Sequence, residues 1–90
     1  MNTPLNDGPA LARAAADALR RGEARTARDL FLRAAQAGQA DVAVMLGLAY
    51  SCRSLQDWAR MRAYVDRVLA LAPRNLRALV MKGDSIEQAG

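Results

Sequence analysis

Twenty Ala, twelve Leu and twelve Arg in ninety residues, and not one His, bound what this chain can do. The missing His removes Ser-His-Asp and Cys-His triads, histidine-bearing metal centres and haem ligation by His together. The lone Cys52 leaves no internal disulfide and no thiolate-rich zinc site, and a net charge of +4 raises the question of polyanionic partners. The composition therefore points away from catalysis within the chain: no catalytic residue, cofactor or metal ligand is assigned.

Along the chain, residues 1–8 read as a disordered lead-in rich in Asn, Pro, Asp and Gly. Pro9 suits the first turn of a helix, where its missing N–H costs nothing. Leu11, Ala14, Ala15, Ala18 and Leu19 then form one apolar stripe, which Gly22 ends as a C-terminal cap. Ala24, Ala27, Phe31, Ala34 and Ala35 form a second stripe, stopped by Gly38. A third segment, residues 40–52, is apolar nearly all round, which predicts a helix with neighbours on several sides. Ser54-Leu-Gln-Asp57 has the spacing of a capping box for a fourth helix, with Trp58, Met61, Val65, Val68 and Leu69 as its stripe. After Pro73, Asn75 can cap a fifth helix whose apolar residues are Leu76, Leu79, Val80 and Ile86. No β-branched run lies between turn signals, so the fold class is all-α with about five helices.

The charge is spread rather than clustered. Residues 1–40 carry six Arg against four acids, and residues 41–90 carry seven bases against five acids, so each part nets +2. Arg13 and Arg21 flank Asp17, Arg25 and Arg33 flank Asp29, and Arg62 precedes Asp66, all at helical i,i+4 spacing. Such faces are locally neutralised, and nucleic acid is not the expected partner. No apolar run approaches the roughly 20 residues that span a bilayer, and the first residues lack a secretory signal. A cytoplasmic protein without membrane attachment is expected.

The helices repeat. Ala27, Phe31 and Ala34 match Met61, Val65 and Val68 at an offset of 34, a period of helix-turn-helix arrays. The first helices of each pair align more loosely, Ala14-Ala15 with Leu46-Gly47 at 32 and Leu46-Gly47 with Lys82-Gly83 at 36. On that alignment Ala15, Gly47 and Gly83 mark close helix approaches, and the turn between the third and fourth helices is two residues longer than the common form.

With Leu46-Gly47-x-x-Tyr50, Val65-x-x-Val68-Leu69 and Pro73-Arg74-Asn75, the chain resembles the tetratricopeptide repeat superfamily. The junction from Ala34-Ala35-Gln36-Ala37-Gly38 to Leu46-Gly47-Leu48-Ala49-Tyr50 is similar to the shorter Sel-like variant. Met61, Ala63 and Lys82 depart from the usual residues. The resemblance implies an α-solenoid of antiparallel hairpins over residues 9–90, with repeats at about 9–38 and 40–73 and a half repeat at 75–90. It also implies a non-catalytic protein-interaction module that holds a peptide or partner domain in a concave groove. Carried over by register, that groove comprises Arg13, Arg20, Val44, Leu48, Ser51, Arg77, Val80 and Asp84, together with Ala12, Ala16 and Glu87. Ala12, Ala16 and Met45 stand where the chaperone-tail-binding branch uses Lys and Asn, so that recognition is not implied.

Pro73-Arg-Asn-Leu-Arg-Ala-Leu-Val-Met-Lys-Gly-Asp84 also resembles the N-terminal repeat segment of bacterial aspartyl/asparaginyl β-hydroxylase-like proteins. That likeness implies an alternative role as a regulatory or substrate-positioning segment of a longer oxygenase-type enzyme. The half repeat predicts a second consequence: self-association as a homodimer through the last helix, residues 76–89. Of the single features, Cys52 reads as a packed small hydrophobe with a redox thiol as the alternative. Trp58 and Tyr64 read as inter-helix packing with a peptide anchor as the alternative, and Asp84 with Glu87 as a solvated face. Lys82-Gly83 lacks the glycines and the Lys-Ser/Thr order of a phosphate loop.

Overall fold

The computed structural model describes the backbone of residues 7–89 and the side chains of residues 7–84. Its regular elements are five helices: α1 (Gly8–Arg20), α2 (Ala24–Gln36), α3 (Val42–Ser54), α4 (Trp58–Leu71) and α5 (Leu76–Ala89). No strand occurs among the described residues.

Hydrogen-bonding side chains set where the helices begin. Asp7, Asp41 and Asn75 lie before α1, α3 and α5, and each side-chain oxygen accepts from the backbone N–H three residues on. The distances are 3.2 Å to Ala10, 2.9 Å to Val44 and 3.0 Å to Ala78. Each bond satisfies a donor that the first helical turn leaves without an intrahelical acceptor. Asp57 does the same for α4 through the Arg60 N–H at 3.3 Å, whereas Glu23, before α2, makes no such bond.

The ends are equally regular. After α1, the Gly22 N–H donates to Leu19 O and the Glu23 N–H to Ala18 O. After α2, Gly38 and Gln39 donate to Ala35 O and Ala34 O in the same way. After α3 the pattern recurs, with Gln56 donating to Arg53 O and Asp57 to Cys52 O. This paired closure needs a left-handed residue at its centre. Gly22 and Gly38 supply it at φ +80° and +95°, but the third instance places Gln56 there at φ 60°.

These caps correct the sequence register. Asp7, Asp41 and Asn75 stand 34 apart, as do Gly22 and Gln56, and Glu23 and Asp57. The period is therefore 34 for both helices of a pair, not 32 and then 36. The turns from α1 to α2 and from α3 to α4 are both three residues long, so the second is not extended. Ser54 is the last residue of α3 rather than a cap, and α3 starts two residues later than expected because Asp41 fixes its first turn. The lead-in ends sooner than expected, since Asp7 caps and Gly8 opens α1; residues 1–6 lie outside the described ones.

Each helix packs on its neighbours in the chain, and α1 also touches α3. Leu11, Ala15 and Ala18 of α1 are buried, as are Ala27, Phe31 and Ala34 of α2, its main neighbour. One period later, Met45, Ala49 and Cys52 of α3 are buried with Met61, Val65 and Val68 of α4. Small side chains on these seams let short helices approach closely, where dispersion and water exclusion act on many atoms at once. Ala14, counted in the first stripe, is exposed because the buried face of α1 centres on residues 11, 15 and 18. Between α2 and α3 the approach is close: a Cβ on Gly47 would meet Phe31 Cζ at 2.2 Å.

In α5 the buried residues are Ala78 and Met81, which correct the expected stripe of Leu76, Leu79 and Val80. Those three are 75 %, 45 % and 63 % exposed. Ile86 lies outside the described side chains. Gly83, grouped with Gly47 from sequence, has no heavy atom within 4 Å of where a Cβ would sit, so it marks no close approach here.

Candidate functional site

Residues of α1, α3 and α5 line a concave stretch of the surface. Three adjoining concavities on it share Tyr50 as a wall. One, about 380 Å³, is lined by Leu19, Arg20, Leu46, Tyr50 and Arg77 with the Phe31 ring behind them. A second, about 210 Å³, lies between Tyr50 and Arg53 on α3 and Leu76, Arg77 and Val80 on α5. The third, about 430 Å³, runs from Leu19 past Tyr50 and Arg53 to Gln56 and Trp58.

The 34-residue register explains why these side chains meet. Ala16, Tyr50 and Asp84 occupy equivalent positions on α1, α3 and α5, and so do Leu46 and Val80, and Leu19 and Arg53. Helices begun by caps one period apart align equivalent residues on one face. The largest of the central set is the aromatic ring of α3, which stands in the middle of the surface.

The surface is basic. Arg20, Arg53 and Arg77 line it, and among the described residues no carboxylate does. Arg20 bonds Asp17 at 2.9 Å along α1, and Arg53 reaches Asp84 of α5 at 3.0 Å. Arg77 makes no ion pair among the described residues. Asp17, with about half of its side chain exposed, also pairs with Arg21; the Arg20 hydrogen bond and then the Arg21 charge hold its carboxyl below the usual range. The Arg21 guanidinium is in turn pushed up, chiefly by its hydrogen bond to Glu23.

Of the residues assigned from sequence, Ala16, Arg20, Arg77 and Val80 line this surface, and Asp84 borders it through Arg53. Val44, Leu48 and Ser51 do not: all three are buried, and the Ser51 hydroxyl donates to Gly47 O at 2.8 Å within α3. Buried side chains with satisfied polar atoms offer a ligand nothing. Arg13 is exposed and lines none of the three concavities, and Glu87 lies outside the described side chains. The residues that sequence reasoning left out are Leu19, Leu46, Tyr50 and Arg53. The signal for them was the cap spacing of Asp7, Asp41 and Asn75.

Two further sequence readings meet the structure here. Cys52 is fully buried in the core, and desolvation, seconded by the Asp57 charge, pushes its thiol above the ordinary range. The i,i+4 ion pairs appear only as Arg21 with Asp17; Asp66 instead pairs with Lys82 on α5 at 3.3 Å. Trp58 and Tyr64 pack partly buried against the core, and the Arg67 guanidinium lies 5.7 Å from the centre of the Tyr64 ring. Among the described residues no three Cys, Asp or Glu side chains gather as a metal site requires, and no helix is long and apolar enough to cross a membrane.

No protein-family model matches the chain, and no curated protein matches it in sequence.

Proposed function

We propose that the five helices form two and a half tetratricopeptide-like hairpins stacked as a short α-solenoid, and that the chain is a non-catalytic protein-interaction module. Equal 34-residue spacing of the caps and helix-to-next-helix packing support the solenoid reading. The ligand is an acidic peptide segment carrying apolar side chains, received on the concave face of α1, α3 and α5.

One observation carries this reading: Tyr50 stands at the junction of three concavities walled by Arg20, Arg53 and Arg77 and, among the described residues, by no carboxylate. A ring of this kind supplies a large contact area at low entropic cost, and Arg and Tyr are enriched among residues that dominate interface energies. Arg forks match carboxylates bidentately, which sets where along the groove an acid sits. Leu19 and Val80 provide the apolar contacts between those charges, with Leu46, only 8 % exposed, at the floor.

Panning a random peptide library displayed on phage against the full chain tests the proposal. Enrichment of acidic peptides with interspersed aliphatic or aromatic residues is expected. Tyr50→Ala and Arg53→Glu should each weaken the selected peptides by about tenfold or more, with folding checked by circular dichroism. Affinity should fall as salt rises, because exposed charges are screened. No enrichment, or selected peptides indifferent to both substitutions, overturns it.

A further inference from the structure

The three guanidinium groups of the concave surface are not equivalent. Arg20 closes the last turn of α1 and bonds Asp17 at 2.9 Å. Arg53 lies in the last turn of α3 and bonds Asp84 at 3.0 Å. Each is therefore offset twice, by a carboxylate and by the negative carbonyl end of its own helix. Arg77 differs on both counts. It is exposed, makes no ion pair among the described residues and stands in the first turn of α5, which holds no acidic residue. Asp7 and Asp41 cap α1 and α3 with carboxylates, but the cap of α5 is the uncharged amide of Asn75. The positive N–H end of α5 thus adds to the Arg77 charge instead of offsetting it.

The position of this charge gives it a use. Arg77 is common to two of the concavities. One, about 380 Å³, is floored by Leu46 and the Phe31 ring; the other, about 210 Å³, lies against Leu76, Val80 and Met81. An anion held by Arg77 therefore has an apolar recess on either side. The third concavity, which Arg77 does not line, carries the polar side chains of Arg53, Ser54 and Gln56.

We infer that Arg77 is the residue that sets specificity on this face: it selects one acidic side chain of the bound peptide, flanked on each side by an apolar residue that enters a concavity. The inference rests on the peptide-binding reading above. The ligand carboxylate accepts hydrogen bonds from the Arg77 fork, a charge-assisted contact with strong directional preference. The larger recess takes an aromatic or long aliphatic side chain, and the smaller one a branched aliphatic. Arg20 and Arg53, already engaged by Asp17 and Asp84, add to the general attraction for acidic segments without choosing where the acid sits.

The tightest peptide that phage display selects on the full chain is the probe. It is synthesised with its acid and with the corresponding amide in place of that acid, and both forms are titrated calorimetrically against the wild type, Arg77→Gln and Arg20→Gln. The amide should weaken binding to the wild type by about tenfold. Arg77→Gln should bind the two forms alike, whereas Arg20→Gln should lower both affinities and keep the tenfold difference between them. Arg77 has no partner to lose among the described residues, so circular dichroism should remain that of the wild type. An acid-to-amide difference that survives in Arg77→Gln or vanishes in Arg20→Gln, or selected peptides lacking an acid between apolar residues, overturns the inference and leaves peptide binding standing. A library that yields no binding peptide overturns both.

Discussion

Gly47→Ala adds a single methyl group, and the structure fixes the sign of its effect. The new Cβ would lie 2.2 Å from Phe31 Cζ and 2.5 Å from both Cε atoms. Phe31 is 4 % exposed and held within the core, so the ring can yield only by displacing buried neighbours. Overpacking of this kind costs about 1–3 kcal/mol, against about 1 kcal/mol gained by replacing Gly with Ala in a helix. The net loss is about 0–2 kcal/mol, and at its midpoint of about 1 kcal/mol a fall in Tm of roughly 4–8 °C for a domain of this size. Gly83→Ala is the control, because its Cβ meets nothing and only helix propensity changes. It should raise stability by about 0.5–1 kcal/mol. Urea and thermal denaturation followed by far-UV circular dichroism measure both. Phe31→Leu, which shortens the opposing side chain, should recover part of the Gly47→Ala loss, with a coupling of about 0.5–3 kcal/mol in a double-mutant cycle. A Gly47→Ala variant stabilised as much as Gly83→Ala would refute the close approach of α2 and α3.

Gln56→Gly should stabilise the chain by about 0.5–1 kcal/mol, since it removes the penalty of a side chain at positive φ in the closure that Gly22 and Gly38 make without strain; an unchanged urea midpoint would deny it. Cys52 should resist a disulfide reagent such as DTNB at neutral pH in the folded chain and react on unfolding, because burial raises its pKa and suppresses the thiolate. The sign for stability follows. The unfolded thiol ionises first, so stability is full below the ordinary thiol pKa and falls as pH rises past it toward the raised folded value. Cys52→Ala should flatten that alkaline decline, and an identical pH profile for the two proteins would count against the assignment.

The helices were legible in sequence because three of the five carry one-sided apolar periodicity and a Gly or Pro stop, and Pro73 and Asn75 mark where the fifth begins. The rotation of α3 was not. Val42, Val44, Met45, Leu46, Leu48 and Ala49 surround its axis, and a helix apolar on every side has no stripe from which to read its phase. Leu46-Gly47 then attracted the alignment, although the small seam residue of this helix is Ala49. Gly47 is small for another reason: it lies under Phe31 of the preceding helix. That two-residue slip turned the assigned face from Leu46, Tyr50 and Arg53 to Val44, Leu48 and Ser51, which are core. The fifth helix posed a related ambiguity. Its apolar residues occupy two faces, and hydrophobicity alone does not say which of them meets α4.

Caps resolve what hydrophobicity leaves degenerate. A capping carboxylate or amide fixes the first helical residue through a directional hydrogen bond, and the helical twist then determines where every later side chain points. Asp41 starts α3 at Val42, two residues after the start suggested by the apolar run, and two residues are about 200° of rotation at 3.6 residues per turn. A shift that leaves the fold class untouched therefore carries the site to the opposite side of the helix. The same rule places Tyr50 between Ala16 and Asp84, one period from each. A short side chain at one end, an aromatic ring in the middle and an acid engaged by Arg53 at the other make the concave face unequal along its length. Under the proposed reading, α1, α3 and α5 begun at identical spacing would supply the groove, and the residues that differ between them its direction.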